Sequence, residues 1–515
     1  MKIQTSDLMD KIVVLDFGSQ YSHLICRRIR EFSVYAELVP YDISIDELKK
    51  LEPKGIIFSG GPSSVFNSDA PLPTKEIFEM KKPLLGICYG HQLIVNNFGG
   101  KVKRANREYG SSLLTIDNDS DLLSGIGESV RAWMSHGDEA EQIPSGFEII
   151  GHTEAASAAA IADKKNSIYG IQFHPEVVHT EQGTDILKNF ALKICGANQD
   201  WSLETFIENS VKKIAGIEGN VLCAVSGGID STVAALLIHK AIGDRLKCIF
   251  VDNGLLRVNE EKEVEEMFTK NFSVNFNQID AKDQFLSKLK GVVDPEKKRK
   301  IVGEEFIRIF TEFAKKNGPF KWLAQGTLYP DVIESGVSKG PASIIKTHHN
   351  VGGLPDWLEL DVLEPLRELY KDEVRKVGEI LKIPKKILMR HPFPGPGLAV
   401  RIIGEVTQKK LEISKIASKI VEEELEDADL YDKVWQAYAA VGDDNAVGVV
   451  GDERRYGNIV MIRVVDSTDA MTADWTRLPH GILEKISNRI TNEIEDVTWV
   501  SYVISSKPPA TIEPQ

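Results

Sequence analysis

Positive charge is in short supply in this sequence. Its 62 lysines and arginines face 76 aspartates and glutamates over 515 residues, a formal net charge of −14. So acidic a chain is not built to wrap a nucleic acid or coat an anionic membrane, because both need a surplus of cations. A local basic patch for one phosphate stays compatible with it. Cysteine is scarcer still: Cys26, Cys88, Cys195, Cys223 and Cys248 are odd in number, far apart and without a CxxC pair. That spacing supports neither a disulfide framework nor a structural zinc site, and it points to reduced thiols in the cytoplasm. Also missing are a secretory leader, since MKIQTSDLMD is polar, and any apolar run near the roughly 20 residues that cross a bilayer. No internal repeat or low-complexity segment stands out.

What is present is ordinary globular composition, 42% hydrophobic and 27% charged, at a length that calls for roughly three to four domains. Short apolar runs, KIVVLDFG (11–18), GIIFSGGP (55–62), PLLGICYG (83–90) and YGIQFHPE (169–176), alternate with amphipathic stretches. Each closes around Gly or Pro, the pattern of buried strands leading into loops, hence α/β. GANQDWS (196–202) reads as a linker. A second α/β series follows in VLCAVSGG (221–228), LKCIFVDNG (246–254) and KWLAQGT (321–327), with a helix over DSTVAALLIHKAIG that Gly243 caps. HPFPGPG (391–397) then changes the texture. Beyond it a helical stretch and two strands, NIVMIRVVDS (458–467) and DVTWVSYVISS (496–506), suggest a smaller α+β domain. Trp499, Tyr502 and Val503 there form an apolar face that serves either association or a plain core.

Two places carry chemistry. In GICYGHQ (86–92) a cysteine sits between glycines after an apolar strand. A nucleophile on a sharp strand-to-helix turn needs such small neighbours, and the helix N-terminus favours its thiolate. FHPE (173–176) supplies His174 as base and Glu176, two positions on and on the same side, to orient its ring. Tyr89 and the Gly60-Gly61 turn are natural oxyanion-hole donors. A lone buried cysteine is usually a small hydrophobe; the three motifs together, each at a strand end, outweigh that.

The second place is AVSGGIDSTVA (224–234), a strand that breaks into Ser-Gly-Gly and reopens as a helix, the shape of a phosphate cradle. The lysine that a nucleotide-hydrolysing P-loop sets before its Ser/Thr is absent. Ser226, Gly227 and Gly228 offer donors, Ile229 fills the variable place, Asp230 would hold Mg2+ between phosphate oxygens, and Ser231 and Thr232 add hydroxyls. A bare SGG turn would only cap a helix; S-G-G-x-D-S-T on strand–loop–helix says more.

The elbow, HPE and SGGP resemble the class I glutamine amidotransferases over residues 11–195. The resemblance implies glutamine hydrolysis through a thioester, with Cys88 as nucleophile, His174 as base and Glu176 as orienter. WMSHGD (133–138) is similar to that family's glutamine-side loop. The cradle resembles the PP-loop of the ATP pyrophosphatases, which cleave ATP between its α- and β-phosphates and so need no Walker lysine. In that family CIFVDNG, with Val251, and QGT, with Gly326, belong to the nucleotide pocket, and Lys346 in IIKTHHNVGG would face pyrophosphate from a mobile lid. A glutaminase and an adenylating loop on one chain make an amide- or amine-forming machine. RHPFPGPGLAVR (390–401), RVVDSTDAMTADW (463–475), KPPATIE (507–513), LYPDVIESG (328–336) and KTHHNVGGLPDWLELDVLEPLREL (346–369) resemble the GMP synthase family along nearly the whole chain.

That resemblance implies xanthosine monophosphate (XMP) as acceptor, held by Arg299, Lys507, Thr511, Ile512 and Glu513, and a homodimer through the C-terminal domain. It implies glutamine, ATP and XMP as substrates, Mg2+ with ATP, and no nucleic-acid or membrane partner. The expected architecture is a flavodoxin-like amidotransferase domain at 11–198, an adenine-nucleotide α-hydrolase-like PP-loop domain at 199–390, both α/β with mainly parallel sheets, and an α+β C-terminal domain at 391–515. The chain departs from the family at its end, reading TIEPQ instead of TIE-Trp-Glu. Two rivals remain: a ligase for another acceptor, such as an NAD or asparagine synthetase, and an inactive chain kept as a binding module.

Overall fold

A computed structural model describes residues 9–118, 120–329, 331, 360–450, 452–467 and 472–515. They fall into two compact units, 9–209 and 210–515, and the division lies inside the helix Leu203–Ala215.

The first unit is built on a nine-stranded sheet in the order β2-β1-β3-β4-β9-β8-β7-β5-β6. The strands are β1 (Lys11–Asp16), β2 (Tyr35–Pro40), β3 (Gly55–Phe58), β4 (Leu84–Ile87), β5 (Lys101–Ile116), β6 (Ser129–Gln142), β7 (Glu148–His152), β8 (Ala160–Asp163) and β9 (Ile168–Ile171). From β2 to β9 every pairing is parallel, with Ile56 opposite Leu84 and Leu84 opposite Ile168. β3 and β4 are buried at every position, which is why GIIF and LLGI read as unbroken apolar runs. Each fully buried Ile or Leu there stabilises the sheet by about 1.5–3 kcal/mol. The rest of the sheet, β8-β7-β5-β6, is antiparallel. One consequence positions chemistry. SGGP, the elbow cysteine and FHPE leave the same carboxyl edge of the neighbouring parallel strands β3, β4 and β9.

The second unit carries two sheets. The first is five-stranded and all parallel, in the order β12-β11-β10-β13-β14. Its strands are β10 (Val221–Ala224), β11 (Leu246–Asp252), β12 (Phe276–Asp280), β13 (Trp322–Ala324) and β14 (Asp361–Leu363). SGGIDST, DNG and QGT leave the carboxyl ends of the adjacent β10, β11 and β13. The helix Ile229–Ile242 follows the first of these and stops at Gly243, whose φ of +53° suits its role as C-cap.

The second sheet pairs β15 (Gln436–Val450) with β16 (Glu453–Asp466), flanked by β17 (Asp474–Trp475) and by β18 (Val497–Tyr502), which joins β16 in parallel. β15 lies where the sequence pattern showed no strand. It is broken by a register shift between Val441 and Asn445, across Gly442-Asp443-Asp444. One hydrophobic core runs from Leu222 and Ile249 through Leu398 and Val421 to Val460 and Val497, so both sheets share it.

Candidate active sites

The elbow is strained where the chemistry would sit. Cys88 has φ +53° and ψ −103°, backbone that side chains rarely adopt, and it immediately precedes the helix Tyr89–Asn97. Its neighbours must be glycine. A Cβ on Gly86 would lie 2.3 Å from the Gly90 carbonyl oxygen, and one on Gly90 2.5 Å from that of Phe58. The Cys88 N–H donates to the Ile171 carbonyl at 2.8 Å, tying the turn to the end of β9, and its thiol donates to the Ser135 carbonyl at 3.5 Å.

His174 stands against it. Its Nδ1 lies 2.7 Å from Glu176 Oε1, its backbone N–H donates to the Trp133 carbonyl, its carbonyl accepts from the Thr180 hydroxyl, and Tyr21 meets its ring edge-on. Nδ1 is committed to Glu176, which leaves Nε2 for Cys88. Burial works against a charged ring, yet the Glu176 charge and hydrogen bonds with Cys88 and Glu176 hold the His174 pKa well above its usual value. Gly60 completes the group: a Cβ there would come within 2.9 Å of His174 Cε1 and 3.6 Å of Cys88 Cβ. At Gly61 a Cβ would come within 2.6 Å of the Phe17 carbonyl oxygen, so that position too has no room for a side chain. Tyr89 is the first helical residue, where the N–H has no partner within the helix. WMSHGD lies on β6 and brings Trp133 and Ser135 to this centre.

In the second unit the cradle turns at Gly227, φ +76°. The Ser226 N–H donates to Ser231 Oγ at 3.2 Å, and Ser231 Oγ donates to the Gly228 carbonyl at 3.1 Å, so the loop is closed by its own hydroxyls. Gly326 packs directly on it, with space for a Cβ only 3.2 Å from the Asp230 backbone. Val251 is buried near the end of β11, next to the cradle's strand. Thr232 differs from the expectation: its side chain is fully buried and its hydroxyl donates to the Gly228 carbonyl, inside the helix's first turn. Lys346 lies outside the described residues.

Sequence reasoning missed one cation here. Lys371 Nζ donates to both carboxylate oxygens of Asp230, at 2.6 and 2.5 Å. No motif signals it, because 141 residues separate the partners.

The C-terminal residues are held mostly by their backbone. Tyr438 donates to the Ile512 carbonyl at 2.6 Å, Arg463 to that of Thr511 at 3.1 Å, and Thr511 Oγ1 to that of Glu513. The Lys507 backbone pairs with Ala473. Glu513 is gripped by Arg401 through Nε at 3.1 Å and Nη2 at 3.0 Å, and by Gln436 Nε2. Arg401 is only 2% exposed and lies over the rings of Tyr438 and Phe393. The unusual terminus is also anchored: Arg299 donates to the Gln515 backbone oxygen, and the buried Lys298 to its side-chain oxygen. Arg401 closes the quoted GLAVR stretch, so its place was visible; its partner was not.

Comparison with known proteins follows the same divisions. Residues 13–194 match the class-I glutamine amidotransferase family, 201–310 an NAD synthase family and 423–514 the GMP synthase C terminal domain. The glutamine-hydrolysing GMP synthase of Caldanaerobacter subterraneus subsp. tengcongensis is 55% identical over 98% of this chain and 99% of its own. Those of Caldicellulosiruptor saccharolyticus (54%, 98% and 99%) and Clostridium acetobutylicum (51%, 98% and 100%) are similar over the same span. Likeness to NAD synthase covers residues 201–310 alone, whereas GMP synthases match nearly the whole chain, which removes the rival of an NAD or asparagine synthetase. The chain belongs to the glutamine-hydrolysing GMP synthase family.

Proposed function

We propose that this chain converts XMP, ATP, glutamine and water to GMP, AMP, pyrophosphate and glutamate. The observation that carries the reading is the Cys88–His174–Glu176 arrangement on a chain that also folds a lysine-free phosphate cradle, within a family shown over nearly its full length. The Cys88 thiolate attacks the glutamine amide carbon. Gly60, Gly61 and Tyr89 N–H groups receive the developing oxyanion, and His174 passes its proton to the departing ammonia. Water then hydrolyses the thioester.

In the second unit the XMP carbonyl oxygen attacks the α-phosphate, pyrophosphate leaves into the Ser226–Ser231 loop, and ammonia displaces AMP. Val251 and Gly326 border the adenosine, with Lys346 facing pyrophosphate. Arg299, Lys507, Thr511, Ile512 and Glu513 hold XMP. Among the described residues no cluster of three or more His, Cys, Asp or Glu could hold a metal by itself. Asp230, at the mouth of the cradle, is the carboxylate that would hold Mg2+ brought with ATP, in exchange for its bonds to Lys371. The ion would supply charge neutralisation of the triphosphate.

We divide the chain at 11–198, 199–390 and 391–515, with the Pro/Gly loop at 391 as support. Two copies would meet through the C-terminal sheet. Val449 and Tyr456 are both 73% exposed and Trp499 55%, an outer apolar strip that includes Val447, opposite Tyr456. The five free cysteines suit the cytoplasm.

Protein incubated with Mg·ATP and ammonium, with and without XMP, tests the whole reading. AMP and pyrophosphate that appear only with XMP, matched by GMP, support it. ATP cleavage indifferent to XMP refutes the acceptor, and no cleavage by folded protein revives the inactive rival. A monomer at micromolar concentration would refute the dimer.

A further inference from the structure

Lys298 and Arg299 stand side by side near the start of the helix Pro295–Asn317, and both reach Gln515, 217 and 216 residues away. Lys298 is fully buried. An ammonium taken out of water needs an acceptor for each of its three N–H bonds. Lys298 finds them in the Ala399 carbonyl at 3.2 Å, the Ile402 carbonyl at 2.6 Å and Gln515 Oε1 at 2.5 Å. The first two bracket Arg401, whose guanidinium grips Glu513, and the third lies two residues beyond Glu513. One ammonium thus closes a circuit through the helix, the Arg401 turn and the segment 511–515. The Gln515 backbone oxygen in turn accepts from Arg299 Nη2. A guanidinium has five N–H donors, so this bond aims the side chain and leaves others for a ligand.

Pro514 stiffens that circuit, because proline fixes its own φ at about −65° and keeps Gln515 from swinging freely about Glu513. Pro514 and Gln515 are also the two places where the chain leaves the TIE-Trp-Glu pattern. All three acceptors of Lys298 are uncharged. Burial, and after it the Lys410 charge, holds its pKa down at about 8, against the pull of Asp443. With the amide oxygen gone, a buried charge would be one partner short and would draw the helix or the Arg401 turn out of place. We propose that Gln515 is a positioning residue for the acceptor. Through Lys298 it spaces Arg299 against Thr511, Ile512 and Glu513, and so governs XMP binding more than the chemical steps. The proposal rests on the acceptor roles given above to Arg299 and Glu513.

The test uses the full chain with ammonium as nitrogen source, Mg·ATP in excess and XMP varied. Gln515→Ala and Gln515→Met, which remove the acceptor, should each raise XMP KM roughly tenfold, the scale of one hydrogen bond to a charged group. Neither kcat nor ATP KM should move by more than about threefold. Gln515→Glu restores an acceptor and should keep XMP KM within about twofold of wild type. Pro514→Gly, which only loosens the link, should raise it about threefold. Equilibrium dialysis of XMP without ATP should give the same order, since spacing acts before any phosphate moves.

An unchanged XMP KM in Gln515→Ala, a wild-type value in Gln515→Met, or a loss confined to kcat or the thermal midpoint would each overturn the proposal. So would a Gln515→Glu chain no better than Gln515→Ala. Arg299→Ala separates this role from the reading beneath it. An XMP KM untouched by Arg299→Ala would refute the acceptor site itself. A raised one beside wild-type Gln515 variants would refute the positioning role alone.

Discussion

His174 Nδ1 and Glu176 Oε1 lie 2.7 Å apart, with side chains 5% and 1% exposed. The carboxylate fixes the tautomer and favours the charged ring. Replacing Glu176 by Gln should lower glutamine kcat/KM by about 10²- to 10⁴-fold, the range seen when a triad loses its orienting carboxylate. A raised His174 pKa also means that the folded state holds a proton the unfolded state releases. Its stabilisation is therefore full below the ordinary histidine value and fades as pH rises through the folded one. The thermal midpoint of the first unit should drop in Glu176→Gln most clearly at neutral and acid pH; an unchanged midpoint there would argue against the charged pair.

The Asp230–Lys371 pair makes a different prediction. Asp230→Asn should stop GMP formation from glutamine and from ammonium alike, since adenylation precedes amination whatever the nitrogen source. Lys371→Met should weaken ATP use by about tenfold or more and leave glutaminase chemistry at Cys88 intact. Steady-state ATP titrations with ammonium as nitrogen source read both. Normal ATP kinetics in Lys371→Met would make that ion pair a bystander.

Arg401→Lys keeps the charge but loses the two-pronged grip on Glu513. If Glu513 meets the purine, XMP KM should rise about tenfold while ATP KM moves little. A change confined to thermal stability would place Arg401 in the fold and outside acceptor recognition.

His91, three residues after the nucleophile, is fully buried, and the Ala158 backbone offers its ring only a poorly formed hydrogen bond. Burial, and beyond it His136, pushes its pKa down to about 3. The unfolded chain binds a proton there that the folded chain refuses between the ordinary value near 6.5 and about 3. Stability should therefore fall with acidity across that window by about 1.4 kcal/mol per pH unit. His91→Met should flatten that slope in urea unfolding followed from pH 7 to pH 4. An equal slope in both proteins would mean that water or a shifted neighbour satisfies the ring.

The central parallel strands were legible because burial on both faces leaves apolar runs, as in GIIF and LLGI, whereas the parallel β12, FNQID, is polar and partly exposed and gave no such signal. β5 was not legible either. Its Lys101, Lys103 and Arg104 are exposed, in a hairpin whose partner, β6, supplies the regularity. β15 hid for another reason, since Gly442-Asp443-Asp444 imitates a loop inside a strand that merely changes register. Among site residues, Cys88, His174 and Ser226 announce themselves by local motif. Lys371, Arg401 and Gln436 act through partners dozens of residues away, and only the folded chain brings those partners together.

The steric fit around the elbow has a consequence for how this protein tolerates change. Gly60, Gly86 and Gly90 carry no reactive atom, yet each faces another group at 2.9 Å or less where a Cβ would go. A saturation scan scored on glutamine-dependent growth should therefore rank these three silent positions beside Cys88. The drift permitted to a surface loop is closed to them, and the nucleophile is guarded as much by the side chains that are missing as by those that are there.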